Sequence, residues 1–236
     1  EAAIMKTIGL LGGMSWESTA LYYRLINEET RRKLGGLHSA RIVLISLDFH
    51  EVEVLQRRGD WAAAGELLAG AAQRAAAAGA DFLLICTNTM HKVADEVAAS
   101  IEIPLLHLAD ATAERIVHAG ITTVGLLGTR FTMEHDFYKE RLQARGIEVL
   151  TPPAAGRKLI HRVIFEELCV GVVRTESRAQ FLEILDDLTR RGAAAIIAGC
   201  TEIGMLVTEE HTDVRLFDTT RIHAEQAVAW ALGDVV

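Results

Sequence analysis

The hydrophobic positions of this chain follow two alternating periods. Short, almost uniformly apolar runs alternate with longer segments in which apolar residues recur at i, i+3 and i+4. The first pattern is typical of strands buried on both faces and the second of helices, so we predict an α/β fold with parallel sheets flanked by helices. The predicted strands are residues 7–11, 41–47, 81–86, 104–107, 123–127, 148–151, 193–198 and 214–217. The predicted helices are residues 17–34, 60–78, 92–99, 111–119, 134–145, 158–169, 177–191 and 222–232.

The same pattern occurs twice along the chain. Residues 7–12 read TIGLLG and residues 123–128 read TVGLLG, while Cys86 and Cys200 each follow an apolar run and precede a polar turn. Similar segments at nearly constant spacing indicate two homologous half-chains of about four βα units each. We therefore predict two pseudo-symmetric, Rossmann-like lobes, each a mostly four-stranded parallel sheet, at residues 5–118 and 119–236. The final strand and helix are allowed to pack back on the first lobe.

Composition narrows the functional class. The 236 residues are 50% hydrophobic and carry a net charge of −8, which argues against a nucleic-acid surface. No apolar run approaches the roughly 20 residues of a membrane span. Three cysteines without CxxC spacing indicate neither a disulfide framework nor a zinc site. We expect a cytoplasmic protein whose natural start is Met5, so that residues 1–4 carry no targeting signal.

Polar turns follow four of the predicted strands, at residues 12–16, 87–90, 129–132 and 200–203. Ligands of parallel α/β sheets bind at the carboxyl ends of the strands, so these turns are expected to line one active site in the cleft between the lobes. In the second turn, backbone N–H groups at the start of a helix are suited to cradle a carboxylate. The predicted substrate-binding residues of these turns are Met14, Asn88, Thr89, Met90, Thr129, Thr201 and Glu202.

The two cysteine loops suggest proton transfer at a carbon next to a carboxylate. Such a reaction needs a base on one face, an acid on the other, and donors for the developing enediolate charge. Cys200 suits the base if nearby backbone N–H groups lower the pKa of its thiol, although a small buried side chain at a strand end is the simpler interpretation. In the first loop, Cys86 and Thr87 point to opposite faces, and spacing alone does not decide which one addresses the cleft.

Cofactor motifs are not evident in the sequence. The turn at Gly12 and Gly13 lacks the G-x-G-x-x-G pattern of a dinucleotide loop and the lysine of a P-loop. His91, His107 and His223 lie near strand ends without metal-ligand spacing, which favours structural histidines. We therefore predict no cofactor and no metal.

Three motifs together resemble the aspartate/glutamate racemase family: residues 5–14 (MKTIGLLGGM), 88–91 (NTMH) and 198–202 (AGCTE). The likeness covers essentially the whole chain, and residues 13–19 and 86–91 are similar to the enterobacterial broad-specificity amino-acid racemase branch. The resemblance implies two α/β lobes with one catalytic residue from each, no pyridoxal phosphate, no metal and a homodimer. It also implies a small amino-acid substrate, with no nucleic-acid or membrane partner.

Aligned on the NTMH motif, the first catalytic position of this family falls on Thr87, where archaeal aspartate racemases carry a cysteine. The resemblance therefore implies Thr87 and Cys200 as the catalytic pair. A threonine hydroxyl is a much weaker acid than a thiol and would be a poor base. We expect asymmetric catalysis, in which Cys200 abstracts a proton from one enantiomer far better than Thr87 does from the other.

The sequence also differs from aspartate racemases in the residues expected to bind the substrate side chain. Aspartate racemases carry an arginine after the second strand and a lysine on a later helix, whereas those regions here read EVEVLQ at residues 51–56 and ELC at residues 167–169. Gln56 is the predicted replacement, or Arg57 and Arg58 if the loop is shifted. Besides aspartate and glutamate, a broader or neutral polar amino-acid range is therefore expected.

Three functions remain open from the sequence. The first is a cofactor-independent amino-acid racemase. The second is a decarboxylase that resembles the arylmalonate type, in which one cysteine protonates the enediolate left after loss of carbon dioxide. The third is an amino-acid binding protein without catalysis.

Overall fold

The apolar runs of the sequence form two separate parallel sheets in the computed structural model, which describes residues 5–234. The predicted α/β class, with helices flanking parallel sheets, is confirmed. Contacts divide the chain into two units: the residues up to Leu108 together with those from His223 onward, and Ala109–Ile222. Residues 1–4, to which the prediction about targeting applies, lie outside the described residues.

The first sheet belongs to the first unit and has three strands. They are β1 (Ile8–Gly12), β2 (Ile42–Ser46) and β3 (Phe82–Ile85), in the order β2-β1-β3. Every residue of β1 and β3 is buried, as expected for strands covered on both faces. The helices between these strands and after β3 are α1 (Trp16–Leu34), α2 (Phe49–Arg58), α3 (Trp61–Ala77) and α4 (Ala94–Ala99), with a 3₁₀ helix at Thr89–Val93.

The predicted fourth strand of this sheet, residues 104–107, is wrong. Only Leu105 pairs, in a single parallel bridge with Leu83. Pro104 has no N–H to donate and contributes only its carbonyl, which accepts from the Leu83 N–H at 2.9 Å. The next helix already begins at Leu108, so no further ladder can form.

The second sheet belongs to the second unit and has four strands. They are β4 (Thr123–Gly128), β5 (Glu148–Leu150), β6 (Ala195–Gly199) and β7 (Arg215–Asp218), in the order β5-β4-β6-β7. The remaining helices are α5 (Leu108–His118), α6 (Arg130–Glu134), α7 (Asp136–Gln143), α8 (Ala154–Glu166), α9 (Thr175–Arg190), α10 (Ile203–Leu206) and α11 (Thr219–Leu232), with a 3₁₀ helix at Leu168–Val170. The described part of the chain contains no helix long and apolar enough to cross a membrane.

The boundaries of the units lie within helices. Nearly all of α5 belongs to the second unit, where Arg141 pairs with Asp110 at 2.8 Å and the Tyr138 hydroxyl donates to Thr112 at 3.4 Å. The first boundary therefore lies at Leu108, ten residues before the predicted one at 118. From His223 onward, α11 belongs to the first unit and packs Ala224, Ala227 and Val228 against the buried side of its sheet.

Candidate active site

The turn after β1 is held by one threonine. The Gly13 N–H donates to the Thr19 hydroxyl oxygen at 2.8 Å, and that hydroxyl donates to the Ser15 carbonyl at 2.8 Å. Gly13 has a φ of 90°, and a Cβ there would collide with the backbone of Leu47. Glycine is the residue that adopts this positive φ readily and also has no Cβ. The Met14 side chain lies in the apolar core of the first unit and is 4% exposed.

Burial distinguishes the two candidate residues of the loop after β3. Cys86 is fully buried in the apolar cluster that contains Leu10 and Tyr22, and burial raises the pKa of its thiol. Thr87 is half-buried, and within residues 5–234 its hydroxyl makes no hydrogen bond. Thr87 is therefore the accessible polar group of this loop, and Cys86 is a core residue.

The residues that follow Thr87 are buried. Asn88 and Thr89 are 5% and 6% exposed, and Met90 is fully enclosed. The Gln56 amide, also buried, donates to the Met90 sulfur at 3.0 Å. Gln56 therefore lies beside the NTMH motif, as its predicted role requires, but with its amide directed at a protein atom. The neighbouring Arg57 is exposed and lies 3.8 Å from Glu53.

Both ring nitrogens of His91 bond to backbone groups, which ties this loop to the start of α5. Its Nδ1 lies 2.8 Å from the Thr87 carbonyl, and its Nε2 accepts the Leu108 N–H at 3.2 Å. Because Nε2 accepts, the proton resides on Nδ1, which donates to Thr87. The His107 ring packs edge-on against His91 at 4.5 Å.

His223 is a second buried imidazole with both nitrogens bonded. Its Nε2 donates to the Leu106 carbonyl at 2.9 Å, and its Nδ1 accepts from the Tyr22 hydroxyl at 2.9 Å. Burial and the neighbouring His91 lower the pKa of His223 to about 3. These bonds identify a neutral structural histidine. Among the described residues, no three His, Cys, Asp or Glu side chains are grouped to hold a metal ion.

The lowered pKa of His223 predicts a pH-dependent stability. Unfolding returns His223 to an ordinary pKa near 6.5, so between pH 6.5 and 3 the unfolded chain binds the extra proton. His223 therefore lowers the free energy of unfolding as the pH falls below 6.5, by up to about 1.4 kcal/mol per pH unit. Urea titrations between pH 7 and 4 should show a shallower pH dependence in His223→Leu than in the wild type. The exposed His38→Gln is the control, and an unchanged slope in His223→Leu would contradict the assignment.

In the second unit, Thr129 is the N-cap residue directly before α6. Its side-chain oxygen accepts from the Thr132 N–H at 3.4 Å and lies 3.3 Å from the Thr132 hydroxyl. These contacts identify Thr129 as a helix-capping residue at the carboxyl end of β4. The turn predicted at residues 129–132 is thus the first turn of a short helix.

Cys200 carries a proton and has a nearby acceptor for it. The half-buried thiol donates to Oε2 of Glu202 at 2.9 Å. Burial, together with the negative charge of Glu202, raises the pKa of the Cys200 thiol well above its ordinary value. A hydrogen bond with the Glu202 backbone lowers the pKa of the thiol, but burial and the Glu202 carboxylate outweigh it.

A cavity of about 620 Å³ opens beside Cys200 within the second unit. Thr201 and Asp218 line it, and so do Glu209 and Glu210. It is also lined by three arginines that no sequence motif indicated: Arg115, Arg215 and Arg221. They come from α5, β7 and α11, of which α5 is distant in sequence from the cysteine loop. The only sequence signal for them was that β7 follows the cysteine loop as the next predicted strand.

Glu167 lies in the region where the family resemblance led us to look for a cation. Its carboxylate is buried, accepts from the Ser177 hydroxyl at 2.6 Å and pairs with Arg162 at 3.0 Å. The hydrogen bond from Ser177, followed by Arg162, lowers the pKa of Glu167. Nearby Cys169, which we placed inside a helix, is a half-buried residue of the 3₁₀ helix that follows α8.

The chain is similar in sequence and in structure to known proteins. The sequence profile of the Asp/Glu/hydantoin racemase family matches residues 11–227. A Yersinia pestis crystal structure, provisionally described as an Asp/Glu racemase, is 52% identical with a TM-score of 0.92, covering 97% of this chain and 100% of that one. An aspartate racemase homologue from Pyrococcus horikoshii is 32% identical with a TM-score of 0.84, covering 96% and 99%.

A more distant similarity is to the broad-specificity amino-acid racemase RacX of Bacillus subtilis. The two are 22% identical over 159 residues. The match covers 64% of this chain and 65% of RacX, which is slightly less than two thirds of that relative.

Proposed function

The chain belongs to the Asp/Glu/hydantoin racemase family, a family of isomerases, and we propose that it racemises amino acids at Cα without pyridoxal phosphate or metal. The family resemblance inferred from the sequence motifs is thereby confirmed. We further propose that Thr87 and Cys200 are the two proton-transfer groups. The homodimer and the cytoplasmic location remain predictions.

One observation carries this proposal: Cys200 is a protonated thiol that is hydrogen-bonded to a carboxylate. In the first step, Glu202 takes the thiol proton and the resulting thiolate removes the Cα proton of the substrate. The electron pair of the broken C–H bond passes into the substrate carboxylate, giving an enediolate. Protonation of Cα on its other face gives the opposite enantiomer.

Thr87 is proposed to deliver that second proton. Its hydroxyl is accessible and has no hydrogen-bond partner among the described residues, so it is available to a substrate. A hydroxyl is too weak an acid to remain deprotonated, so Thr87 passes its proton to Cα as it takes one from water, and the proton held by Glu202 returns to solvent to close the cycle. In the reverse direction it is a poor base. Exchange of the Cα proton with solvent is therefore expected to be faster from the enantiomer that Cys200 deprotonates, whereas kcat/KM for inversion is equal in the two directions because the enantiomers have the same free energy.

The arginines that line the cavity beside Cys200 are suited to bind the substrate. Arg221 and Arg215 form no salt bridge within the described part of the chain, and the Arg215 guanidinium lies 4.9 Å from the centre of the Phe217 ring. Arginine recognises carboxylates in a bidentate geometry, so these side chains suit a substrate carboxylate. We propose a substrate range that includes aspartate, glutamate and further amino acids, as the names of the relatives suggest.

Cα hydrogen–deuterium exchange in D₂O tests the function directly. NMR would follow the L- and D-forms of aspartate, glutamate, homoserine and several neutral amino acids, without added pyridoxal phosphate. The expected result is exchange together with inversion, and faster loss of the Cα proton from one enantiomer. If no amino acid exchanges, racemisation of these substrates is excluded.

Glu202→Gln should test two roles of that carboxylate: it accepts the proton of the Cys200 thiol, and it raises the pKa of that thiol. Glutamine still accepts a hydrogen bond from the thiol but cannot accept its proton, so the maximum exchange rate should fall by about 10²-fold. Loss of the negative charge should also lower the pKa of Cys200 and shift the pH dependence of thiol alkylation to lower pH. Exposed Glu166→Gln, on α8, is the control. An unchanged alkylation profile in Glu202→Gln would show that the two side chains are uncoupled.

A single-thiol decarboxylase is the second candidate. Burial of Cys86 leaves Cys200 as the accessible thiol of the two cysteine loops, which is the arrangement that such a decarboxylase requires. Release of carbon dioxide from an arylmalonate, without Cα exchange in any amino acid, would favour it. Thermal stabilisation by amino acids without either reaction would instead indicate a binding protein.

A further inference from the structure

Side chains hold the peptide groups on both sides of Thr87. The Cys86 carbonyl accepts the Ser18 hydroxyl at 3.0 Å, and the Thr87 carbonyl accepts the His91 Nδ1–H at 2.8 Å. The Cys86 N–H donates to the Leu11 carbonyl at 2.9 Å, which ties the same loop to β1. Because each peptide group is planar, fixing these two planes fixes φ and ψ of Thr87. The hydrogen bonds to these peptide groups therefore also fix the direction of the Thr87 Cα–Cβ bond.

Ser18 and His91 are suited to this task because they are themselves fixed. Ser18 is 3% exposed on the first turns of α1, and His91 is 2% exposed. The His91 ring is held at its other nitrogen by the Leu108 N–H and is packed against His107. A ring that is bonded at both nitrogens and enclosed by packing holds its donor in one place.

We propose that Ser18 and His91 are positioning residues that aim the Thr87 hydroxyl at the substrate Cα. This inference rests on the proposed function, in which Thr87 transfers a proton. We call the pair the Thr87 clamp. Its members bond to the backbone of the loop and act on the reaction through Thr87, so they are not catalytic residues themselves.

The second cysteine loop is held differently. When the two loops are aligned at Thr87 and Cys200, the position of His91 corresponds to Gly204, which has no side chain to bond the loop. Cys200 is instead oriented by the direct bond from its thiol to Glu202 at 2.9 Å. The clamp bonds join Ser18 and His91 to the backbone on either side of Thr87, so loss of the clamp should impair the proton transfer by Thr87 and leave the transfer by Cys200 intact.

In D₂O, the proton transfers by Cys200 and by Thr87 lead to different products, so they can be measured separately. Cys200 can remove the Cα proton of its preferred enantiomer and return a deuteron to the same face, which gives deuterium incorporation with retention. Inversion also requires delivery by Thr87 on the other face. The ratio of inversion to incorporation with retention, measured by NMR and chiral chromatography in D₂O, therefore isolates the Thr87 step.

Weakening the clamp should lower this ratio. In Ser18→Ala and His91→Leu, inversion should fall about 10- to 100-fold, the loss expected from misplacing a reacting group by about 1 Å, while incorporation with retention stays within about twofold of wild type. His91→Asn keeps a donor near the Thr87 carbonyl and should recover part of the inversion. Ser100→Ala is the matched control, because it removes another hydroxyl-to-carbonyl bond of the first unit, to Val97 at 2.7 Å.

The outcomes distinguish the clamp from the function on which it rests. Equal loss of inversion and incorporation, or an unchanged ratio in folded variants, would overturn the clamp. If Thr87→Ala also leaves inversion intact, the proposed catalytic pair is wrong and the clamp with it. If Thr87→Ala abolishes inversion while the clamp variants behave as wild type, only the clamp is overturned. Should His91→Leu fail to melt cooperatively, Ser18→Ala and His91→Asn decide the question.

Discussion

Replacing Cys200 with alanine is expected to eliminate Cα exchange from its preferred enantiomer and inversion in both directions. The thiol is the only one of the two proposed proton-transfer groups with the chemistry of a base. Removing a general acid–base group costs about 10²–10⁴-fold in rate, and the loss here should lie at the upper end because the other group is a hydroxyl. NMR in D₂O on both enantiomers of each substrate measures this loss of rate.

The control for this variant is Cys169→Ala. Cys169 is another half-buried cysteine of the second unit and, like Cys200, packs against its apolar core. It should retain most of the activity. Cys200→Ala should also melt as the wild type does, since it loses one bond, to Glu202. Exchange that persists in a folded Cys200→Ala protein would exclude this thiol as the base.

Thr87→Ala is expected to abolish inversion while deuterium incorporation with retention continues. Cys200 still removes and returns the proton on its own face, but no side chain delivers one to the other face. The expected loss of inversion is about 10²-fold or more. Chiral chromatography of the product, combined with NMR of the recovered substrate, separates the two quantities.

The complementary change is Thr87→Cys. A thiol with an ordinary pKa near 8.5 is a far better base than a hydroxyl, so Cα proton exchange from the enantiomer that residue 87 deprotonates should accelerate, and the difference in exchange rate between the enantiomers should diminish. Cys86→Ala is the control for the loop, because Cys86 is a buried core residue and should affect stability more than stereochemistry. Loss of inversion in Cys86→Ala, with full inversion in Thr87→Ala, would reverse the assignment of these two neighbours.

The sequence predicted most strands because a strand buried on both faces is apolar at every position. The failures have local causes. Residues 104–106 are apolar, but Pro104 cannot donate to a ladder, and the segment 104–107 forms a single bridge. Helix α2 was missed even though Asp48 caps its start and Gly59, in the left-handed conformation, ends it. Residues 51–55 read EVEVL, and this alternation of polar and apolar residues obscures the helical period.

The candidate site was only partly predictable. The repeated loops indicated Cys200 and the neighbours Cys86 and Thr87, and the adjacent turns indicated Asn88 and Thr129, because strand ends and turn residues are properties of short segments. Only the family resemblance favoured Thr87 over Cys86. Spacing did not indicate whether Cys86 or Thr87 is accessible. The second-unit arginines were also missed, since Arg115 and Arg215 are 100 positions apart in the sequence.

By itself, the sequence determined the α/β class, the repeat, the family resemblance and the residue types available for proton transfer, all of which depend on order along the chain. The tertiary structure decided that Cys86 is buried, that Cys200 is held as a thiol, and that Ser18 and His91 hold the loop around Thr87. Burial, pKa and side-chain orientation depend on neighbours that folding brings together, so a pattern of residues along the chain cannot determine them.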